Sequence, residues 1–541
     1  MSPAQEAGSS ASAGELVVEA HGGSLVAAAQ DVLAAAEGLP AALVAKDPTL
    51  WGPDASSEAG VRLGWLDAVT TGRALLPGLL ALRDELAADG VDRVVLCGMG
   101  GSSLAPEVIC AAAGRPLVVV DTTDPGQVRA ALVRLERTVV VVSSKSGGTL
   151  ETDSHRRAAR TAFAAVGIDP ARRVVVVTDP GSPFEQAAHD EGSRAVFLAD
   201  PDVGGRYSAL TAFGLVPAAL AGVDVEGLLE EAAALEPSLS QADSPALLLG
   251  ALLAGGAAGG RDKLVLVADD GAFGDWAEQL VAESTGKQGK GLLPVVVEGP
   301  DAPGTEPAAD SHLVLVGGVA VGDSPAPHTS VRGPLGAQFL AWEFATAVAG
   351  WSLRINPFDQ PNVQESKDNT GAILEGGRAP VASPLFVEGG VEVHATGDLL
   401  EEVGDVAGAL AALLAAVPER GYLAVMAYLD RQADAAAHDL RALLAGRLAH
   451  PVTFGWAPRF LHSTGQFHKG GPQTGTFLQI TGAVAQDLEV PGRPFTFGEL
   501  QAAQALGDLR ALHERGRPVL RLHLLDRAEG LATVLRAAGG A

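Results

Sequence analysis

The chain has 541 residues, a formal charge of −27, 47% apolar residues and two cysteines. Its length allows two or three domains that each bury a core of their own. The negative charge argues against nucleic acid as a partner, because phosphate backbones are bound by clustered Lys and Arg side chains. One phosphate on a small molecule can still be bound by a local set of backbone N–H groups and a few cations.

The sequence also predicts a cytoplasmic protein that has no membrane span. Its apolar runs, such as residues 264–268, have the length of a strand and are too short to cross a bilayer. Residues 1–16 lack the basic head and apolar middle of a secretory signal. Cys97 falls in an apolar strand and Cys110 on the next helix, which indicates two buried thiols and not a disulfide framework.

Taken in chain order, the predicted elements begin with a segment rich in Ala, Gly and Ser. Residues 1–60, with weak helical periodicity over 15–37, predict a tail and covering helices. From Val91 onward, apolar strands alternate with helical patterns, which is typical of a parallel sheet covered on both faces. The predicted strands of this stretch are 93–97, 117–120, 139–142, 173–177 and 194–198.

The alternation returns after Gly260 and again from about Glu392. Further strands are predicted at 263–268, 293–297, 313–316, 352–356, 422–427, 451–455 and 476–480. Two doubly wound, mainly parallel α/β sheets are the simplest architecture, with function on the strand-to-helix turns. The predicted division is an N-terminal segment, a phosphate-binding first domain, a second domain and a C-terminal α/β segment that completes the site (1–60, 61–225, 226–390 and 391–541).

The first notable turn is GMGGSS at residues 98–103, between a predicted strand and a predicted helix. Its glycines permit a tight turn and close approach of an anion, and the helix N-terminus supplies unpaired N–H groups. A nicotinamide-binding fingerprint is the alternative, since Asp121 lies at about the ribose-binding distance. Ser103, however, occupies the place of the last glycine of that fingerprint.

The second turn is SSKSGGT at residues 143–149, which also follows a predicted strand. Its hydroxyls, ammonium and glycines suit a phosphate nest, whereas a capping turn with Glu151 in the first helical turn is the structural alternative. The chain has only seven lysines, and five of them fall in Gly- or Ser-rich segments, which favours a cradle for an anion. These five are Lys145, Lys287, Lys290, Lys367 and Lys469.

Four motifs taken in order, GMGGSSLAP, SSKSGGTLET, GGRYSALTAFGL and ESTGKQGKG, resemble the glucose-6-phosphate isomerase family. The resemblance extends from about residue 91 to residue 480. It implies two mainly parallel sheets of the sugar isomerase type and interconversion of glucose 6-phosphate and fructose 6-phosphate. It further implies a sugar phosphate as the bound small molecule, no cofactor, no metal and a homodimer. The implied phosphate ligands are Ser102, Ser144, Lys145, Ser146 and Thr149.

The resemblance also implies a reaction centre. Glu283 would move a proton between carbons 2 and 1, a task that suits a partly desolvated carboxylate at a helix end with a raised pKa. An exposed helix-end Glu is the ordinary alternative. Arg206, placed between glycines and a tyrosine after a strand, would stabilise the enediol. Gly101, Gln279 and Gln360 are implied substrate contacts.

Ring opening is assigned to two later segments. Residues 356–367 resemble the family segment in which a Gln and a Lys, here Gln360 and Lys367, approach the ring oxygen. LHSTGQ at 461–466 resembles the segment whose His opens the ring, so His462 is the expected acid and His468 the second candidate. The usual family order places the His segment first. The reversed order here is similar to the isomerase portion of fused transaldolase and glucose-6-phosphate isomerase proteins, and it requires the two segments to meet in space.

Other function classes remain as alternatives. A non-catalytic sugar-phosphate sensor of the same fold would have no reason to keep Glu283 together with Lys367 and His462. An amidotransferase needs a Cys nucleophile near its N-terminus, and no Cys precedes Cys97. A nicotinamide-dependent dehydrogenase is a third alternative, and acceptance of mannose 6-phosphate stays open. No HExxH motif or dense His/Cys cluster indicates a metal.

Overall fold

The computed structural model describes residues 8–269, 271–319, 327–376, 383–401 and 403–540, with the backbone alone at Gly271 and 363–367. The chain forms three sheets that are mostly parallel and flanked by helices. The predicted mixed α/β class is therefore confirmed. Within the described ranges, no helix combines the length and the apolar character that crossing a bilayer requires.

The N-terminal segment begins with a hairpin where the sequence analysis predicts a tail and helices. The second hairpin strand contains two valines, whose β-branched side chains favour a strand. It pairs antiparallel with a strand about 300 residues later, at His328–Arg332. The elements of this segment are β1 (Gly8–Ala13), β2 (Leu16–His21), α1 (Gly23–Ala35), α2 (Leu39–Val44), α3 (Ser56–Ala59) and α4 (Ala68–Ala88).

The first sheet is wholly parallel and five-stranded, in the order β4-β3-β5-β6-β7. Its central strands are continuous valine runs because helices cover both faces. The order reverses between β3 and β5, so the turns that follow these two neighbouring strands flank one crevice. The elements are β3 (Arg93–Cys97), α5 (Leu104–Ala112), β4 (Val118–Val120), α6 (Pro125–Ala131), β5 (Thr138–Ser143), α7 (Leu150–Ala165), β6 (Val174–Thr178), α8 (Pro183–Asp190) and β7 (Ala195–Leu198).

The second sheet has the order β1-β2-β11-β10-β8-β9 and is parallel from β11 to β9. It is built from α9 (Ala212–Leu220), α10 (Val225–Leu235), α11 (Pro245–Ala258), β8 (Lys263–Ala268), α12 (Gly271–Thr285), β9 (Leu293–Val296), β10 (Ser311–Val316), β11 (His328–Arg332) and α13 (Leu335–Leu353), together with the N-terminal hairpin.

The third sheet has the order β12-β13-β17-β16-β14-β15, with β17 to β15 parallel. Its elements are α14 (Pro361–Glu375), β12 (Phe386–Glu388), β13 (Val391–Ala395), α15 (Val406–Ala415), β14 (Tyr422–Tyr428), α16 (Asp439–Ala445), β15 (Val452–Trp456), α17 (Gly465–Gly470), β16 (Gly475–Gly482), α18 (Phe497–Glu514), β17 (Val519–Leu524) and α19 (Arg527–Gly539).

Two predictions about the sheets are wrong. The third stretch forms a sheet of its own, so there are three sheets and not two, because β13 and β17 supply neighbours that the sequence analysis did not recognise. The strand predicted at 352–356 is absent: α13 runs through Leu353 and ends at Arg354, which adopts a left-handed backbone with φ of 56°. Of the two apolar residues in 352–356, Leu353 is the last residue of this helix, and Ile355 is buried just beyond it.

Helix α11 packs against both α1 and α13 through glycines. A Cβ added at Gly255 would lie 2.7 Å from the carbonyl carbon of Ala28, and one at Gly250 would lie 2.7 Å from Cβ of Val348. Distances of this kind leave no room for a methyl group. The apolar helix α11 can therefore approach its neighbours only because these positions have no side chain.

We expect Gly255→Ala to destabilise the protein by about 1–3 kcal/mol, since overpacking outweighs the gain in helix propensity. The control is Gly78→Ala, on an exposed position of α4 where the added Cβ meets open space. It should instead stabilise by about 0.5–1 kcal/mol. Denaturant unfolding measures both, and equal effects of the two substitutions would contradict the packing argument.

Candidate active site

The turn after β3 is pressed against a second turn, Gly205–Tyr207. A Cβ on Gly101 would lie 1.9 Å from the Gly205 carbonyl oxygen, and one on Gly100 would lie 2.6 Å from Gln279 Nε2. The glycines of GMGGSS thus allow close packing of backbone on backbone and bring Gln279 to the turn. Ser102 is half-buried at the end of this turn.

The turn after β5 is held by its own hydroxyls. Ser144 Oγ accepts a hydrogen bond from the Gly147 N–H at 3.1 Å and lies 3.5 Å from Thr149 Oγ1. Ser146 Oγ accepts from the Gly148 N–H at 3.2 Å. Since β3 and β5 are neighbours, this turn and Ser102 lie on the same edge of the first sheet, as the phosphate hypothesis requires.

The ammonium of Lys145 is engaged elsewhere. Its Nζ donates to the carbonyl oxygens of Pro201 (2.9 Å) and Val203 (3.0 Å) and pairs with Asp179. Lys145 therefore joins its turn to the 200–203 loop, and its donors are occupied. Lys469 is likewise buried and paired, with Asp508. The lysines of Gly- and Ser-rich segments do not converge on one anion cradle among the described side chains.

Arg206 is the centre of the site. The guanidinium is buried and contacts five oxygens, which matches its five N–H donors. Three belong to side chains and two to the backbone of the loop before α14. They are Ser284 Oγ (2.8 Å), Gln360 Oε1 (2.7 Å), Glu283 Oε1 (3.0 Å), Pro357 O (2.7 Å) and Asp359 O (3.0 Å).

Glu283 lies at the last turn of α12 and is 8% exposed. One carboxylate oxygen faces Arg206, and the other accepts a hydrogen bond of 3.1 Å from Gln279 Nε2, one helical turn earlier. The same amide nitrogen donates to the carbonyl oxygen of His462 at 2.7 Å. Gln279 thus connects the predicted base to the segment of the predicted acid, and the alternative of an exposed helix-end Glu is wrong.

His462 is oriented by residues that the sequence analysis did not assign to the site. Its Nε2 lies 3.2 Å from Glu151 Oε1, at the start of α7. Glu151 also accepts from Gln504 Nε2 at 2.7 Å, and Gln504 in turn accepts from Thr123 Oγ1 at 2.7 Å. The only signal for Glu151 in the sequence is its position directly after the phosphate turn. Gln504, on α18, gives no such signal.

The two segments assigned to ring opening meet in space, as expected. The Asn362 N–H donates to Gln466 Oε1 at 3.0 Å, and Gln466 Nε2 donates to Asn362 Oδ1 at 2.9 Å. Gln466 also donates to the Gly286 carbonyl at 3.0 Å, which connects both segments to the end of α12. Lys367 lies on α14, but its side chain is outside the described residues.

Two alternatives do not fit the geometry. His468 is enclosed in the core, where its Nδ1 lies 2.9 Å from the Tyr422 hydroxyl and burial lowers its pKa well below the usual range. Asp121, the residue at ribose-binding distance, is 2% exposed. Burial opposes its ionisation, but pairing with Arg459 and a bond from Ser103 lower its pKa overall. Asp121 is therefore a structural carboxylate.

Lys287 lies one turn beyond Glu283 and is also buried. Its Nζ donates to the Asn356 carbonyl (2.6 Å) and to Asp359 Oδ1 (2.7 Å), so it braces the loop that surrounds Arg206. Burial and then the charge of Arg206 lower the pKa of Lys287 to about 7. In the described parts of the chain, no group of three or more His, Cys, Asp or Glu side chains is arranged to hold a metal ion.

Two serine-rich turns lie at one edge of the first sheet, and Glu283 and His462 lie on the segments that pack against this edge. This arrangement is that of the sugar isomerase class of α/β proteins. The family model of phosphoglucose isomerase matches residues 85–255. The glucose-6-phosphate isomerase of Rubrobacter xylanophilus is 31% identical over 373 residues, which cover 56% of this chain and 86% of that protein. The chain belongs to the phosphoglucose isomerase family.

Two further comparisons agree. The glucose-6-phosphate isomerase of Gloeothece citriformis is 30% identical over 354 residues, 53% of this chain and 67% of that protein. A crystal structure of a glucose-6-phosphate isomerase from Chlamydia trachomatis shares the fold with a TM-score of 0.55 and 20% identity, covering 68% of this chain and 89% of that chain. The similarity to fused transaldolase proteins stays a prediction.

The position of Lys287 predicts a pH dependence of stability. The unfolded chain keeps the lysine proton up to its ordinary pKa of 10.5, whereas the folded chain loses it near pH 7. Between these values the unfolded state binds more protons, so stability should rise with pH. Lys287→Met should flatten the rise in thermal midpoint from pH 7 to pH 9, while Lys290→Met, at an exposed lysine nearby, should not. An unchanged slope in Lys287→Met would refute this assignment.

Proposed function

We propose that this protein interconverts glucose 6-phosphate and fructose 6-phosphate through an enediol intermediate. The observation that carries the proposal is the bridging amide of Gln279, which bonds to Glu283 and to the backbone of His462. It holds the Glu283 carboxylate next to the segment that carries His462, at a sheet edge with two phosphate-suited turns. Family membership supports the same reaction.

In the proposed reaction, the substrate phosphate binds to Ser102, Ser144, Ser146 and Thr149 at the first sheet. Their hydroxyls and the start of α7 supply donors for an anion. Binding energy from the phosphate, which does not react, orients the sugar for the chemical step. Lys145 holds the turn in shape through its carbonyl contacts.

Ring opening is the proposed task of His462. The carboxylate of Glu151 faces Nε2 of His462 and so orients the ring, from which a proton can pass to the ring oxygen of the sugar. The 356–367 segment meets the His462 segment through Asn362 and Gln466, which supports the proposal that Gln360 and Lys367 assist at the same oxygen.

Proton transfer is the proposed task of Glu283. The carboxylate removes the proton from carbon 2 and returns it to carbon 1, and the planar enediol between these steps carries a negative oxygen. Arg206 fixes the carboxylate from one side. Its NH1 nitrogen also donates to Gln360, an exposed side chain, so the substrate oxygen can take the place of that amide and receive the charge-assisted bond.

The direct test is a coupled assay for glucose 6-phosphate formed from fructose 6-phosphate, with chelator present. Glu283→Gln should lower kcat by about 10²- to 10⁴-fold and abolish exchange of the carbon-2 proton with solvent, while substrate binding persists. The control is Glu278→Gln on the same helix, where burial raises the carboxyl pKa well above the usual range and the neutral amide is a close substitute. Full activity of Glu283→Gln, or a requirement for added metal, would rule out this mechanism.

The phosphate turn is tested by Ser144→Ala combined with Thr149→Ala. Each hydrogen bond to a charged group contributes about 1.5–3 kcal/mol, so the loss of two should raise KM by about 10²-fold or more. The control is Thr71→Ala with Ser238→Ala, which removes two hydroxyls whose bonds within the described ranges go to carbonyls of their own helices or helix ends. If KM for fructose 6-phosphate stays the same in the first variant, the phosphate binds elsewhere.

Ring opening is tested by His462→Ala on two substrates. Turnover of fructose 6-phosphate should fall by about 10²-fold or more, since general acid catalysis is lost. The analogue 5-deoxyfructose 6-phosphate lacks the hydroxyl that closes the ring, so its carbon-bound proton exchange should fall far less. His438→Ala, at a half-exposed histidine of the third sheet's flank, is the control. Equal losses on both substrates would assign His462 to a different step.

A further inference from the structure

The third sheet has two faces of different chemistry. On one face, Leu478, Ile480, Leu520 and Leu522 belong to a continuous apolar core. On the other face, Tyr422, Ala424, Met426, Phe477 and Val519 belong to a second apolar core. Toward β13, however, the side chains of this face that lie near α18 are polar: Glu392, Thr481, Arg521 and His523. A covered parallel sheet ordinarily has apolar residues on both faces, so this polar face needs an explanation.

A cavity of about 630 Å³ lies between this polar face and α18. Tyr428 ends β14, Thr481 is near the end of β16, and Arg521 and His523 come from β17. The strand order reverses between β14 and β16, so the cavity lies where an open α/β sheet ordinarily binds a ligand. Apolar walls complete the cavity, formed by Ile373, Leu374, Phe495, Ala502, Ala505 and Leu506.

Donors in this cavity lack partners. The hydroxyl of Tyr428, in a residue 1% exposed, and Nε2 of Gln501, in a residue 4% exposed, have no hydrogen-bond partner among the described residues. Arg521 is 9% exposed and forms no ion pair with a described carboxylate. Its single hydrogen bond to a described residue runs from Nε to Thr481 Oγ1 at 3.4 Å. Buried donors and a desolvated cation are costly when left unpaired.

Acidic residues surround the mouth of the cavity and restrict the ligand. Asp487 Oδ1 accepts from the Gly498 N–H at 2.9 Å, and Glu499 accepts from the Thr496 N–H at 3.0 Å, so both carboxylates cap α18. Glu392 lines the cavity on the side of β13. The guanidinium of Arg521 can pair with one negative charge, whereas the three carboxylates around it repel a doubly charged phosphate. Acceptors at the mouth suit hydroxyl or ammonium groups at the other end of the ligand.

We propose that this cavity is a second ligand site, separate from the isomerase site, that binds a small monocarboxylate bearing hydroxyl or ammonium groups. The carboxylate would lie against Arg521, Tyr428 and Gln501, in the manner of a charge-assisted pair. The hydroxyl or ammonium end would face Glu392 and the acidic mouth. The volume is that of an ordinary small-molecule pocket.

Calorimetric titration of the full chain tests the proposal, with gluconate and serine as carboxylate probes and sorbitol as the uncharged control. Saturating fructose 6-phosphate is present throughout so that the isomerase site is occupied. At least one carboxylate should bind with a Kd of about 1 mM or below, and sorbitol should not. Arg521→Met should weaken this binding by about tenfold or more. Arg536→Met removes an equal charge from an exposed position of α19 and should leave the binding unchanged.

Stability measurements separate a ligand site from a structural role. Arg521→Met removes a desolvated cation that forms no ion pair with a described carboxylate, so the thermal midpoint should stay the same or rise. A strong fall would assign Arg521 to structure and overturn the proposal. Tyr428→Phe removes a hydroxyl that has no partner among the described residues, so it should weaken binding severalfold at an unchanged midpoint. No carboxylate binding by the wild type, undiminished binding by Arg521→Met, or tighter Arg521-dependent binding of inorganic phosphate would each refute the proposed site.

Discussion

The candidate active site depends on the burial of one guanidinium, that of Arg206. Removing an arginine side chain from water costs several kcal/mol unless all of its donors are paired, and Arg206 pairs them with oxygens of two separate parts of the chain, the end of α12 and the loop before α14. The turn that carries Arg206, the end of α12 and the loop before α14 must therefore close around it. Glu283 is one of these partners, so the position of the proposed base follows from the need to neutralise and solvate a buried cation.

Small residues make this arrangement possible. Backbone approaches backbone at Gly101 and Gly205, at a distance that no side chain would allow. The same contact brings Gln279 close to Gly100, and its amide then reaches both Glu283 and the His462 backbone. Glycines that suggest an anion-binding loop in the sequence therefore also serve to pack two turns. Lys287 adds a second brace, since it holds the 356–359 loop by its carbonyls.

The third sheet contributes to both sites through α18. Gln504 of this helix bonds to Glu151, the partner of His462, while Gln501, one turn earlier, lines the cavity beside Arg521. In a parallel sheet the carboxyl ends of all strands lie at one edge. A ligand ordinarily binds at this edge, in the crevice where the strand order reverses. Here the first sheet supplies the two serine-rich turns proposed to bind phosphate, and the third sheet supplies His462. The reversed order of the His and Lys segments is accommodated because Gln466 joins them across α12.

The amino-acid sequence by itself determined the strand cores, the two serine-rich turns and the identity of Glu283, Arg206 and His462 as candidates. Apolar runs and glycine turns are local patterns, so they favour strands and tight turns whatever their tertiary neighbours are. Sheet membership was decided by the tertiary structure, because β2, β13 and β17 find their neighbours far along the chain. The tertiary structure also decided the partners of the charged groups. Glu151 lies 311 residues from its partner His462, and Lys145 faces loop carbonyls and Asp179. A charged side chain pairs with the group that folding brings within reach, and no local sequence pattern encodes which group that is.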